Sequence, residues 1–410
     1  MNTLDRIKKH PKLGLIILAY VAFIALGMPD GLMGVAWPSI RRGFSIPLDA
    51  LGSLLFFTVA GYLTSSFFSG RLLTFLGVGR LLAVSCALTG AALLGYTLVP
   101  SWWMMVSLGV LSGLGAGAID AGLNTYVATH FSEGLMQWLH ACYGIGITSG
   151  PLIMTFALNA TQSWRPGYLA VSGVQLLLAV CFTLTLPMWT QNDHPAGAER
   201  PMRLTDYRTP LGETLRQPRV WLSLALFFLY TGSEVSLGTW AYTLLTESRG
   251  VQTEVAGLLT GSYWALFTVG RVIAGLYAKR MGVNKLVSGS LAGALLGVAL
   301  LWWNPAPVAN LAAVGLIGLA IAPIFPGLVS GTSQRVGERF AANTIGIQMT
   351  AAGLGAASVS SLLGVLARHI SLEVIPICLA ALFAAQIGLY WVSMANPHSQ
   401  PQGSSGRITD

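Results

Sequence analysis

Three carboxylates stand inside stretches that are otherwise apolar: Asp30, Asp120 and Glu234. A charged side chain at the centre of a bilayer costs about 2.5–3.5 kcal/mol on insertion scales, so such a group faces a cavity, a partner or a proton. Low-dielectric surroundings favour the neutral acid, and hydration favours the anion. A carboxyl that alternates between the two can take up and release a proton. That is the chemistry a proton-coupled carrier needs.

Spacing adds detail. Asp120 and Asn124 lie one turn apart on one helix face, and Gly113 and Gly117 form a GxxxG on a neighbouring face suited to close helix contact. Glu234 stands in Tyr230-Thr-Gly-Ser-Glu234-Val-Ser-Leu-Gly238-Thr-Trp240, central in its stretch, where a cavity-facing group would meet a substrate. Its alternative is an ion pair with Arg271 that neutralises both. Arg271 could instead snorkel to the nearby membrane surface. His140 opens the run Leu139-His140-Ala-Cys-Tyr143 and has a packing or gating role as its alternative. Aromatic faces at Tyr126, Tyr143, Trp240, Tyr263 and Trp264 suit the C–H face of a sugar ring, with lipid or core packing as the plainer role. Gln348 and Asn343 are further polar candidates.

These residues sit on elements set by composition. Of 410 residues, 54% are hydrophobic and only 9% charged, and mean hydropathy is +0.65. An ordinary soluble domain is about 25% charged, so this chain cannot cover a water-facing surface. Backbone groups in lipid must bond internally, which makes runs of about 20 apolar residues helices. Twelve are expected, at 13–40, 47–73, 80–99, 103–130, 136–160, 166–189, 219–247, 253–278, 285–304, 307–331, 341–367 and 372–395. Asn304-Pro-Ala-Pro307 supplies the turn between the ninth and tenth. Trp102-Trp103 and Trp302-Trp303 read as interfacial anchors.

With both termini in the cytoplasm, 17 Lys and Arg fall on the inner side and five on the outer, as the positive-inside rule requires of a multi-pass protein of the cell membrane. The basic residues are dispersed between apolar segments, so the net charge of +8 argues for topology and not for nucleic acid. The start of the chain reads as an uncleaved first helix. Cys86, Cys142, Cys181 and Cys378 sit in apolar stretches without metal-ligand spacing and read as packing residues. No HExxH, GxGD or nucleophilic serine motif appears, so neither an enzyme nor a cofactor is expected.

A shift of about 205 residues brings the two halves into register. Gly70-x6-Gly77-Val78-x-Arg80-Leu81 returns as Gly275-x6-Gly282-Val283-x-Lys285-Leu286, and Gly113-Leu114 and Ile119 return as Gly318-Leu319 and Ile324. Asp30-x3-Gly34-x2-Trp37 matches Glu234-x3-Gly238-x-Trp240. The chain thus divides into bundles at 1–189 and 219–395, a linker at 190–218 and a tail at 396–410. The polar, Pro- and Ser-containing tail is expected to be disordered.

Parallel six-helix repeats joined by such a linker resemble the major facilitator superfamily, and nearly the whole chain takes part in the resemblance. The glycine-rich turns are similar to that family's GxxxDRxGRR loop signature, with Thr74 and Lys279 at the acidic position. The resemblance implies an all-α membrane protein of twelve helices in two pseudo-symmetric six-helix bundles, acting by alternating access as a monomer. Asp120-x3-Asn124-x-Tyr126 resembles the fourth-helix block of proton-coupled fucose permeases, and Leu-His140-Ala resembles runs in their sugar-transporting relatives. This implies proton coupling at Asp120 and Asp30, with Na⁺ as the alternative ion. The implied cargo is a neutral sugar or similar small polar solute; the resemblance adds Asn124, Tyr126 and His140 to the residues expected to meet it, beside Glu234, Tyr143, Trp264 and Gln348 from position and side-chain chemistry. Gly150-Pro151 resembles an antiporter motif and leaves proton-driven efflux of a drug or metabolite as the alternative.

Overall fold

A computed structural model describes residues 11–130, 133–189, 209–304 and 306–395. Most of the expected linker and the tail lie outside the described residues. Among the described residues, fourteen helices carry the fold: α1 Pro11–Phe44, α2 Leu51–Leu98, α3 Trp102–His130, α4 Glu133–Thr161, α5 Arg165–Leu184, α6 Leu211–Leu215, α7 Pro218–Thr243, α8 Thr253–Met281, α9 Val283–Trp303, α10 Pro307–Ile321, α11 Ile324–Ser330, α12 Thr332–Val336, α13 Glu338–His369 and α14 Val374–Met394. Eleven segments of the described residues are long and apolar enough to cross a membrane. The remaining long helix, α8, carries Glu254, Thr260, Ser262, Thr268 and Arg271 and is held between α4 and α10. The architecture is that of two six-helix bundles.

Two expected breaks take a different form. The second and third spans run together as α2, parted only at Gly77, whose φ of 72° places it in the left-handed region. The tenth span splits instead into α10 and α11 around Pro323, which has no N–H to continue the ladder. The turn after α9 forms where expected, with Asn304 left-handed at φ 44°.

The internal repeat is visible in contacts. Gly282, 205 residues after Gly77, also has a positive φ, 78°. Neither glycine has an atom within 4 Å of where a Cβ would lie, so conformation and not space demands glycine at both. A Cβ on Gly113 would strike the Thr58 carbonyl, and one on Gly318 would strike the Tyr263 carbonyl, the same pair 205 residues on. Without a hydrophobic drive between helices in lipid, such backbone approaches supply the packing.

The first bundle packs on the second through α4 against α8, α2 against α13 and α1 against α7. At the end that carries the 45–50 turn, Arg41 pairs with Glu247 at 2.5 Å and Arg368 with Asp49 at 2.9 Å. Gly34 lies against the Gly238 carbonyl and Gly52 against Ser361 at the same end. Contacts at Gly257–Thr155 and Gly144–Thr268 carry the seam to mid-span.

The second bundle has its own clamp at this end. The Arg249 side chain, 5% exposed, donates to Glu373 at 2.7 and 3.0 Å, to Asn310 at 2.5 Å and to the Leu301 carbonyl at 2.9 Å. It thereby ties the turn before α8 to α9, α10 and the start of α14. These hydrogen bonds, more than the opposing effect of burial, hold the Glu373 carboxyl below the usual carboxylate range. A folded-state pKa below the unfolded one contributes stability above the unfolded value, lost as pH falls through the folded one. Arg249→Ala is therefore expected to destabilise the fold at pH 7 by about 1.5–3 kcal/mol of lost charged hydrogen bonding, read as a lower melting temperature in detergent. The gap to wild type should narrow below about pH 4; a gap independent of pH would remove Glu373 from the account.

Candidate functional site

Close helix contact is what assembles the polar centre. A Cβ on Gly27 or Gly31 of α1 would strike the α4 backbone at Tyr143 or Ile147, and one on Gly146 of α4 would strike the Ile24 carbonyl. The two helices touch along their glycines, and the Tyr143 hydroxyl reaches across to donate to Asp30 Oδ2 at 2.7 Å. Pro29, one residue before, lacks the N–H that would bond the Ala25 carbonyl. The buried Gln175 amide of α5 donates to that carbonyl instead at 2.9 Å, fixing α1 beside Asp30.

The same device builds the Asp120 site. Gly113 and Gly117 of α3 lie on the Thr58 and Tyr62 backbone of α2. The Tyr62 hydroxyl then donates to Asp120 Oδ2, while Asn124 Nδ2 donates to Asp120 Oδ1 at 2.8 Å. Both carboxylates of the first bundle are thus acceptors for a tyrosine from a neighbouring helix. They lie within electrostatic range of each other.

From the facing bundle comes Glu234 of α7, half-buried, with Tyr263 of α8 donating to its backbone carbonyl at 2.8 Å. Arg271 of α8 is in electrostatic range of both Glu234 and His140. It makes no ion pair among the described residues, so the expected alternative of a neutralising Glu234–Arg271 contact is replaced by separation. Its guanidinium lies 4.2 Å from the Phe267 ring centroid. His140 sits edge-on to Phe23 at 5.8 Å and is exposed.

Asp30 is surrounded by protein yet exposed to solvent. A residue in that position lines a crevice. Among the described residues, the named contacts across the seam run from the 45–50 end to mid-span, which leaves the opposite end, where the linker joins, as the side from which solvent reaches Asp30.

Six of the nine expected site residues meet here: Asp30, Asp120, Asn124, His140, Tyr143 and Glu234. Three do not. Tyr126 is buried with its ring 4.8 Å from Trp189, in a packing cluster with Leu123, Leu139 and Phe182. Trp264 is 4% exposed, wedged against Gly238 and edge-on to Tyr263, so its ring packs helices and offers no open face. Gln348 is fully buried inside the second bundle, donating to Ser223 at 2.6 Å and Thr332 at 3.1 Å. Asn343 likewise donates to Thr209 O and Thr214, holding α6 on α13. Trp240 is buried and donates to Ser360 O at 3.0 Å.

Tyr62 is the residue that sequence reading passes over. Its signal is the polar run Gly61-Tyr62-Leu-Thr-Ser-Ser66 in mid-span, which means little until α2 is laid on α3. Gly150, part of the antiporter-like pair, packs on Gly31 of α1, a plain packing role.

The family model for the Major Facilitator Superfamily matches residues 19–360. The chain is similar to the glucose/mannose transporter GlcP of Bacillus subtilis, 20% identical over 86% of this chain and 87% of the relative. It is also similar to the human sodium-dependent glucose transporter 1, 22% identical over 84% of this chain and 72% of the relative. Among solved structures, a point mutant of the nucleoside transporter NupG superposes with a TM-score of 0.76 at 12% identity, covering 92% of this chain and 98% of that one. The last likeness concerns the fold.

Proposed function

The chain belongs to the Major Facilitator Superfamily, and from that premise we propose that it is a proton-coupled symporter of a neutral sugar or a similar small polar solute. The observation that carries the reading is Asp120, held by Tyr62 and Asn124 deep between helices and within electrostatic range of the solvent-reached Asp30 and of His140. A titratable group so placed can exchange a proton with the crevice and alter the polarity of a site that a solute shares. The names of the two sugar-transporting relatives support the cargo class.

In the cycle we propose, a crevice open at the 45–50 end loads a proton on Asp120 or Asp30 and a sugar between the bundles. The bundles rock, and the Arg41–Glu247 and Arg368–Asp49 pairs form behind the cargo. The crevice then opens at the linker end, and hydration returns the proton to water. The Lys and Arg distribution supports a cytoplasmic linker end, and the proposed cycle then runs as import by a monomer. Each exposed pair contributes only about 0–1 kcal/mol, so the gate stays reversible.

Counterflow and gradient-driven uptake in proteoliposomes test this, with glucose, mannose, fucose and a nucleoside as cargoes. Uptake of a sugar is expected when the outside is more acidic, without Na⁺. Uptake that requires Na⁺ instead would reassign the coupling ion, and uptake driven by outward proton movement would replace symport with efflux antiport.

A further inference from the structure

Arg271 has a feature that the proposed cycle leaves unused. Its Nε is buried without a hydrogen-bond partner, and no carboxylate pairs with its guanidinium among the described residues. The side chain is half-buried, its guanidinium lies over the Phe267 ring, and no protein group takes up the Nε–H. Buried polar groups without partners are rare enough to need a reason.

The geometry points to Arg271 and Glu234 as a split donor–acceptor pair that binds adjacent hydroxyl groups of the substrate, and so determines which sugar is accepted. The guanidinium is a planar fork of donors with no acceptor, and an ionised carboxylate accepts without donating. The two are near enough to sense each other and too far apart to bond. A hydroxyl does both, so an O–H that donates to Glu234 can accept from Arg271, and its neighbour on the ring can take a second donor of the fork. A carboxylate substrate would satisfy Arg271 but meet Glu234, Asp30 and Asp120, while a cation would meet Arg271. A neutral vicinal diol satisfies both sides. The inference rests on the sugar reading and assigns the second bundle's share of the site.

Equilibrium exchange of labelled glucose, which needs no proton gradient, tests it in wild type, Arg271→Lys, Arg271→Gln and Glu234→Gln. Competition by the monodeoxy and methoxy glucoses locates the hydroxyls. Wild type should lose about tenfold or more in affinity for a deoxyglucose lacking one of the paired hydroxyls. Arg271→Gln and Glu234→Gln should raise the glucose KM about tenfold and become indifferent to that same deletion. Arg271→Lys, which keeps the charge and loses the fork, should also raise KM, with kcat and melting temperature near wild type. Wild-type exchange of glucose with an unchanged KM in all three variants would overturn this inference alone. So would a variant that still discriminates against the same deoxyglucose as wild type. If wild type exchanges no sugar, the parent reading fails and takes this one with it. Stronger competition by gluconate than by glucose, lost in Arg271→Gln, would replace the diol with an anion.

Discussion

With an inward gradient of one pH unit and no membrane potential, Asp120→Asn proteoliposomes should equilibrate sugar to a ratio near one, where wild type concentrates it about tenfold. One proton moving down one pH unit releases about 1.4 kcal/mol, equivalent to a tenfold solute ratio. A carrier that has lost its proton site has no access to that energy. Asparagine is a close steric substitute. Its oxygen can accept from Asn124 as Oδ1 does now, and its amide can donate to the Tyr62 oxygen where Oδ2 now accepts. Exchange without a gradient should therefore survive, and the split between lost accumulation and retained exchange identifies coupling as the function removed. If Asp120→Asn accumulates sugar like wild type while Asp30→Asn does not, the coupling site moves to Asp30, whose carboxylate accepts from Tyr143.

Gly146→Val should prevent a stable fold, with the melting temperature well below wild type and the purified peak largely aggregated. The added Cβ meets the Ile24 carbonyl oxygen, its carbon at 2.8 Å and its Cα at 3.1 Å, all of them backbone. A side chain could turn aside, but the axis of α1 would have to move. Overpacking costs about 1–3 kcal/mol even where side chains can adjust. Because the contact sets the α1–α4 distance, any folded remainder should also lose the Tyr143–Asp30 bond and with it transport. Gly388→Ala in α14 is the control. Nothing lies within 4 Å of its would-be Cβ, and alanine is the better helix former, so stability should hold or rise by up to about 1 kcal/mol. Equal damage from both substitutions would mean that helix propensity, and not the approach of α4 to α1, governs the effect.

The contrast between these two glycines measures how far sequence reading goes. Both sit in apolar runs between large neighbours, Ile145 and Ile147 or Ile387 and Leu389, and although Gly146 stands four residues before Gly150, nothing local names the helix it meets. What distinguishes Gly146 is the backbone of a helix more than a hundred residues earlier in the chain. The same limit applies to the site. The Asp120–Asn124 bond was legible because a helical turn fixes it, whereas the Tyr62–Asp120 bond depends on α3 lying along α2.

The three intramembrane carboxylates illustrate the division of what is determined where. Composition and spacing by themselves determined a bilayer protein of repeated helices, because in lipid each backbone must bond within its own helix and apolar length alone decides where helices run. The repeat offset likewise paired Gly77 with Gly282, and the structure gives both a positive φ, a local property of the backbone. Only the tertiary structure decided which polar residues share water. It gathered Asp30, Asp120, His140 and Glu234 about one crevice, turned Gln348, Tyr126 and Trp264 into packing, and held Arg271 apart from Glu234. Those outcomes depend on distances between helices, set by where glycines let two backbones touch; a spacing such as Gly113-x3-Gly117 marks a contact face in the sequence but not the helix that meets it.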